Sequence, residues 1–285
     1  MFRHVVAASA LLLASLSADD GPQRPKIYGI AFVRLKSSDF SKASETYSKI
    51  LGLPAGTSKG KNGCTNVNNP CIVVNGSHIT SATMASASPK SRPLLRAARS
   101  SRQDPEGNRI GFVERSAHGS FSPAPRQVSS YLVHAGFVAK DLHVMNKSYL
   151  DTLGFRLYWK GGFEDLPPGT PRKDSDIDWF EIQVPDGSDW VEYMLNIPAN
   201  ANHQELGVQN HFCLGVHNMQ KAIDQLHRNG LAPDSKFADD MPEIGRDGKW
   251  QYDVFDPDLT RIELMEPAPA KDPCCTPYTA PHPKL

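Results

Sequence analysis

From residue 131 onward the chain spells one order of elements twice, and this repeat constrains the fold more than any other feature. Each copy opens on an apolar strand with a His in it, continues as an amphipathic helix started by Asp or Asn, and breaks at a Gly. Short strands follow, the last carrying a Glu between apolar neighbours. The first copy runs from Tyr-Leu-Val-His134-Ala-Gly-Phe to Asp-Trp-Val-Glu192-Tyr-Met-Leu. The second runs from Gln-Asn-His211-Phe-Cys-Leu-Gly to Thr-Arg-Ile-Glu263-Leu-Met-Glu. Both copies read βαβββ, which predicts an α+β fold of repeated modules.

The punctuation supports this. In the middle segment the pattern predicts a strand over 131–138, an N-cap at Asp141 and a helix over 142–153 stopped by Gly154. Val144, Met145, Tyr149 and Leu153 form its buried stripe. Strands are expected over 155–160, 179–184 and 190–196, with Asp186-Gly187 as a hairpin turn between the last two. The final segment predicts a strand over 208–216, a cap at Asn218, a helix over 219–228 stopped by Gly230, and strands over 251–255 and 261–265 around the turn Asp256-Pro257-Asp258. A worn version begins at residue 27: a strand over 27–35, Asp39 as cap, and a helix over 40–51. Matching Asp39 to Asp141 puts Phe32 where His134 stands, and matching Asp104-Pro105-Glu106 to Asp256-Pro257-Asp258 puts Gly111 where Glu263 stands. The N-terminal copy is therefore degenerate at its chemical positions.

The remaining stretches fix the organisation. Residues 1–18 read as an export signal, with Arg3 and His4 before an apolar run and Ser15-Leu16-Ser17 as a small-residue cleavage site. The expected layout is a signal (1–18), a degenerate region (27–115), a linker (116–128), a paired-module domain (129–267) and a Pro-rich tail (268–285). Residues 167–176 are expected to form a long inserted loop, and 86–103 read mainly as loop or disorder. Lys+Arg and Asp+Glu balance at 31 each, so charge points to no polyanionic partner. The one basic cluster, Arg92, Arg96, Arg99 and Arg102, has no aromatic interleaving and reads as solvated surface, not a nucleic-acid patch. A secreted or periplasmic location follows from the signal, with no membrane association after cleavage. It lets Cys64 and Cys71 close a loop, while Cys274 and Cys275 sit side by side in the tail and Cys213 shares a strand face with His211.

The chemistry rests on His134, Glu192, His211 and Glu263. A lone strand His is usually a satisfied core residue, and a strand Glu usually faces water. Two His–Glu pairs at matching places, 58 residues apart (134 to 192) and 52 apart (211 to 263), favour one divalent metal site if the copies pair about a local two-fold. Arg246 and Lys249, in Ile-Gly-Arg-Asp-Gly-Lys-Trp, are candidates for meeting an anionic substrate, with a solvated turn as the plain alternative. Trp159, Trp179 and Phe137 read as core or pocket wall, and Glu266 as rim or surface.

The segment Tyr149-Leu-Asp-Thr-Leu153-Gly154-Phe155 and the turn Asp256-Pro257-Asp258 before Arg261-Ile262-Glu263-Leu264 resemble the vicinal-oxygen-chelate superfamily of glyoxalase I, extradiol dioxygenases and bleomycin-resistance proteins. The resemblance covers residues 128–267 well and 27–115 more weakly. It implies that the two C-terminal modules pair into a cup-shaped sheet around a divalent ion (Zn, Ni, Mn or Fe) held by His134, Glu192, His211 and Glu263, the ligand order of glyoxalase I. It further implies a lyase or isomerase in which a small substrate with oxygens on adjacent carbons passes through a chelated enediolate, Glu263 and Glu192 moving the proton. Asn196 matches a glutathione-contacting position, whereas Val138 replaces that enzyme's glutathione-holding Arg. Two other activities are open under the same resemblance: Fe(II) ring cleavage, in which Glu192 would be dispensable, and small-molecule sequestration without catalysis. Modules of this class also exchange between subunits, so a homodimer is open, although the last two modules are expected to pair within one chain.

Overall fold

The computed structural model describes residues 24, 26–35, 37–53, 73–74, 81–86, 101–114, 125–162 and 178–285. The expected signal, the Cys64/Cys71 loop, the insertion at 167–176 and Arg92, Arg96 and Arg99 lie outside these residues, and Arg102 falls in a strand. Among the described residues no helix is long and apolar enough to cross a membrane.

The N-terminal half forms a five-stranded sheet from β1 (Ile27–Leu35), β2 (Val73–Val74), β3 (Ser81–Ser86), β4 (Ser101–Gln103) and β5 (Arg109–Glu114), in the order β2-β1-β3-β5-β4. Helix α1 (Phe40–Ser44) follows β1, its first turn capped by the Asp39 side chain. The C-terminal half forms an eight-stranded mixed sheet from β6 (Tyr131–Val138), β7 (Arg156–Gly161), β8 (Asp178–Gln183), β9 (Trp190–Leu195), β10 (His211–Gly215), β11 (Glu243–Ile244), β12 (Trp250–Phe255) and β13 (Arg261–Met265). Helices α2 (Leu142–Asn146), α3 (His203–Gln209) and α4 (Met219–Asn229) connect them. The order β11-β12-β13-β10-β6-β9-β8-β7 is the same four-strand pattern read outward from a central antiparallel β6–β10 pair. In each half of this sheet the opening strand pairs in parallel with the closing one, β6 with β9 and β10 with β13.

Three segments differ from the sequence-based expectation. The helices expected over 40–51 and 142–153 widen after one turn into π-helical segments, Glu45–Ile50 and Lys147–Thr152, with Leu51 N–H donating to Thr46 O and Leu153 N–H to Ser148 O. Val208 and Gln209 belong to α3, not to the following strand. Asn202 and Glu205 make a reciprocal capping box there, which nucleates a helix where apolar character alone suggested a strand.

The widened turns carry Tyr47 and Tyr149, and these clasp the two halves reciprocally. The Tyr47 hydroxyl donates to Asp256 Oδ2 at 2.7 Å, and the Tyr149 hydroxyl to Asp104 Oδ2 at 3.2 Å. Each Asp also holds its own turn: Asp256 Oδ1 accepts from Asp258 and Thr260 N–H, and Asp104 Oδ1 from Glu106 and Asn108 N–H. The matched motifs of the sequence thus meet across the halves. The pairing registers agree as well: Phe32, Thr83 and Gly111 lie opposite one another in the first sheet as His134, Cys213 and Glu263 do in the second.

Strand alternation gives the second sheet two distinct faces. One face, with Leu132, Ala135, Phe137, Val191, Tyr193, Phe212, Leu214, Ile262 and Leu264, joins the helices and the first sheet in the main core. Fully burying such a side chain contributes about 1.5–3 kcal/mol. The other face is concave. Lys249, beside β12, comes within 4.0 Å of Glu181 on β8, although four strands separate β12 from β8 in the sheet order, so the sheet curls into a half-barrel toward this side. A β-bulge in β6 at Val133 lets Val133 share that face with His134.

The Pro-rich segment after β13 lies along this bowl. Thr279 N–H donates to Tyr158 O, Thr276 Oγ1 donates to Lys160 O, and Cys274 N–H donates to Arg246 O. The segment therefore ties the β7 edge to the loop before β12. Tyr278, Ala280 and Leu285 pack with Val133, Tyr158, Trp190, Cys213 and Met265. Cys274 and Cys275 are disulfide-linked, and Cys213 is a buried free thiol.

Candidate metal centre

The concave face carries two cross-strand rows. His134 on β6, Cys213 on β10 and Glu263 on β13 lie in one, in direct register. Glu192 on β9, Gly136 on β6 and His211 on β10 lie in the next. Gly136 makes the second row possible: a Cβ there would sit 2.7 Å from His211 Nε2 and closer still to Cε1 and Nδ1. The imidazole lies across the bare backbone, so only Gly fits.

The curl brings the two rows together at one point. His134 Nε2 and His211 Nε2 face each other at 2.9 Å. Glu192 Oε2 is 3.0 Å from His211 Nε2 and 3.9 Å from His134 Nε2, and Glu263 Oε2 is 3.5 Å and 3.4 Å from the same two atoms. All four side chains are buried. His211 Nδ1 donates to Gln209 O, which leaves its Nε2 lone pair directed inward.

This donor set fits a divalent cation. Burial lowers the His134 pKa to about 3 and that of His211 well below the ordinary value, so both rings are neutral and their contacts with the carboxylates are not ion pairs. Burial also pushes Glu192 up, and raises Glu263 to about 7 despite the opposing charge of Arg261. Facing lone pairs and desolvated carboxylates are costly unless a cation joins them. Donors on bonds of about 2.0–2.2 Å stand about 3–3.5 Å apart around one ion, and the spacing here is close to that. His134, Glu192 and His211 are close enough together to hold one ion, as are His134, Cys213 and Glu263.

The other residues singled out in the sequence fall elsewhere. Asn196, at the end of β9, is exposed at φ 61° and donates to Asp178 Oδ2, away from the four donors. Arg246 is exposed and lies 5.7 Å from the centroid of the Trp179 ring. Lys249 is not on a solvated turn. It is fully buried, 3.1 Å from Asp247 and ringed by Trp190, Tyr158 and Tyr278 at 4.4–5.0 Å. Burial works against its charge, but Glu181 and Asp247 hold its pKa above the ordinary value. Glu266 accepts from Met219 N–H at the start of α4, so it is a helix partner and not free rim. Phe137 and Trp159 are core, and Trp179 is half-buried.

Sequence reasoning missed Glu181, Asp253, Arg261 and Trp190, all on the concave face. Glu181 lies opposite Glu192 and Asp253 opposite Glu263. Arg261 spans Asp253 at 3.4 Å and Glu263 at 3.9 Å, and Trp190 packs against His134 at 4.8 Å between centroids. Their signal was the strict alternation of Trp179-Phe-Glu181-Ile-Gln183 and Tyr252-Asp253-Val254, which places each acid on the face of the metal donors.

Comparison with known proteins bears on the fold that carries these residues. Residues 131–271 match the family model of the glyoxalase/bleomycin resistance protein/dioxygenase superfamily. Among solved structures, a catechol 2,3-dioxygenase is similar with a TM-score of 0.58 at 14% identity, covering 91% of this chain and 96% of its own. BphC, a halotolerant catechol dioxygenase, is similar at 0.55 and 14%, covering 91% and 95%. A variant of homoprotocatechuate 2,3-dioxygenase from Brevibacterium fuscum is similar at 0.56 and 19%, covering 90% and 74%. No curated protein matches. Both halves of the chain thus share a fold with these proteins, and its region 131–271 belongs to the glyoxalase/bleomycin resistance protein/dioxygenase superfamily.

Proposed function

We propose that this chain is a divalent-metal-dependent enzyme acting on a small substrate with oxygens on adjacent carbons, by proton transfer of the lyase or isomerase kind. The observation that carries this reading is the fourth donor. Glu192 Oε2 stands 3.0 Å from His211 Nε2, so two carboxylates and two imidazoles share one buried point. A bound ion would supply Lewis-acid polarisation of the adjacent oxygens. His134 and His211, neutral and fixed by their rows, would hold it. Glu263 and Glu192 would carry the proton between carbons, since burial raises Glu263 to about 7 and pushes Glu192 up. Asp253 and Arg261 would orient Glu263. Export to a secreted or periplasmic location, inferred from residues 1–18, is part of the same proposal.

A second reading is oxidative ring cleavage with Fe(II). What favours it is the likeness of the whole two-half chain to catechol dioxygenases. One set of measurements tests both. The purified chain is expected to hold one divalent ion, lost in a His134→Ala/Glu263→Ala variant. Loaded with Zn(II), Ni(II) or Mn(II), it should exchange solvent deuterium into a simple α-hydroxyketone, and Glu192→Gln should abolish that exchange. Oxygen consumption with a catechol on Fe(II), surviving Glu192→Gln, would replace the first reading with the second. Failure to bind any of these ions would sink both.

A further inference from the structure

The quartet does not use every donor its residues offer. His134 Nδ1 and Glu263 Oε1 are buried without a hydrogen-bond partner. Both residues belong to the row that has Cys213 at its centre, opposite His134 on one side and Glu263 on the other. The Cys213 sulfur, one nitrogen of His134 and one carboxylate oxygen of Glu263 lie within 4.8 Å of one another. Cys213 packs in one buried cluster with Val133, Trp190 and Met265, and Leu285 and Tyr278 from the C-terminal segment pack against that cluster.

We propose that His134, Cys213 and Glu263 form a second metal subsite, which takes a soft, thiophilic divalent ion such as Zn(II) or Cd(II). It goes beyond the quartet reading, sharing two of its residues and adding a sulfur donor. The donor chemistry sets the selectivity. Two imidazoles and two carboxylates suit hard and borderline ions alike, whereas one thiolate, one imidazole and one carboxylate favour a thiophilic ion over Mn(II). Binding forms a sulfur–metal bond and releases the thiol proton to solvent, so each ion bound displaces one proton from Cys213. An ion here would share His134 and Glu263 with the quartet, and a neutral imidazole has one lone pair to give, so the subsite competes with the first ion.

The test uses the full metal-free chain, with accessible thiols first alkylated under native conditions, and Cd(II) and Mn(II) as the probes. Cd(II) is expected to produce a sulfur-to-metal charge-transfer absorption that saturates near one sulfur per chain. Cys213→Ser should remove it and weaken Cd(II) binding by about thirtyfold or more, while changing Mn(II) affinity less than about threefold. His211→Ala should keep the cadmium–sulfur absorption and lose Mn(II), which separates failure of the subsite from failure of the quartet. Cadmium-113 NMR of the unmutated protein gives an answer even if a variant does not fold, because the chemical shift reports a sulfur ligand directly. An absorption that persists in Cys213→Ser, or a cadmium shift without sulfur, overturns the proposal.

Discussion

Gly136→Ala is the sharpest single perturbation of the centre, because it adds one methyl group and replaces none of the four His and Glu side chains. On propensity alone the change should help: Gly inside a strand costs roughly 0.5–1 kcal/mol relative to Ala. Here the new carbon would lie 2.7 Å from His211 Nε2 and nearer to the rest of the ring. Reaching ordinary contact at 3.4 Å moves that nitrogen by about 0.7 Å, well beyond the ±0.2 Å tolerance of a metal–ligand distance. The ring has nowhere to go, since it is 1% exposed and its Nε2 is 2.9 Å from that of His134. The expected stability cost is about 1–3 kcal/mol, as for other overpacked sites. The expected loss of metal affinity exceeds about a hundredfold, about 2.7 kcal/mol, because one of four donors is displaced. Calorimetric titration with Mn(II) or Zn(II), beside a thermal melt of the metal-free form, measures both. An alanine variant that binds the ion with unchanged affinity would refute the assignment of Gly136 as the seat of His211.

Three further outcomes follow from buried charges and hydrogen bonds. Lys249→Met should lower stability at pH 7 by about 3–5 kcal/mol in denaturant titration, because Asp247 and Glu181 lose their shared cation. The deficit should shrink in acid, where Glu181, already raised by burial, takes up a proton. Burial raises Asp189 to about 7 although Ile30 N–H donates to it, so the folded state binds its proton more tightly than the unfolded chain does. Its contribution is therefore present below pH about 4 and lost as pH rises toward about 7. Asp189→Asn should flatten the stability–pH curve in that window and raise stability at neutral pH. Tyr47→Phe should cost about 1.5–3 kcal/mol by thermal melt, since the Asp256 carboxylate loses a buried donor. A melt within error of wild type would remove the clasp from the account of stability.

The meeting of His134, Glu192, His211 and Glu263 was legible in the sequence because each is set by a local pattern: a His in an apolar strand, a Glu in another, and a spacing repeated in two copies. Their matched positions needed only the strand alternation and a local two-fold, and the sheet supplies both. Lys249 was not legible as a buried charge, because Asp247 beside it reads as one more turn residue and Glu181 reaches it only through the curl of the sheet. The purpose of Gly136 was hidden for a related reason, since the strand register sets it against His211. The segment after Met265 reads by composition as a Pro-rich tail, yet the Thr276 and Thr279 hydroxyls and the Thr279 N–H donate to carbonyls of β7. Pro-rich composition describes how a segment avoids regular structure, not where it packs. The π-helical widening left no trace in the apolar periodicity that marked the helices.

The reciprocal tyrosine clasp means that the N-terminal half is not a spare part. Tyr47 stands on the donor-poor half and satisfies Asp256, which organises the turn leading into β13 and its Glu263. Tyr149 stands on the donor-rich half and performs the same service for Asp104 in return. Two sheets that each depend on the other for a buried hydrogen bond should unfold as one cooperative unit. The first half lacks the His and Glu that meet in the second, yet the second leans on it for the shape of its own last strand.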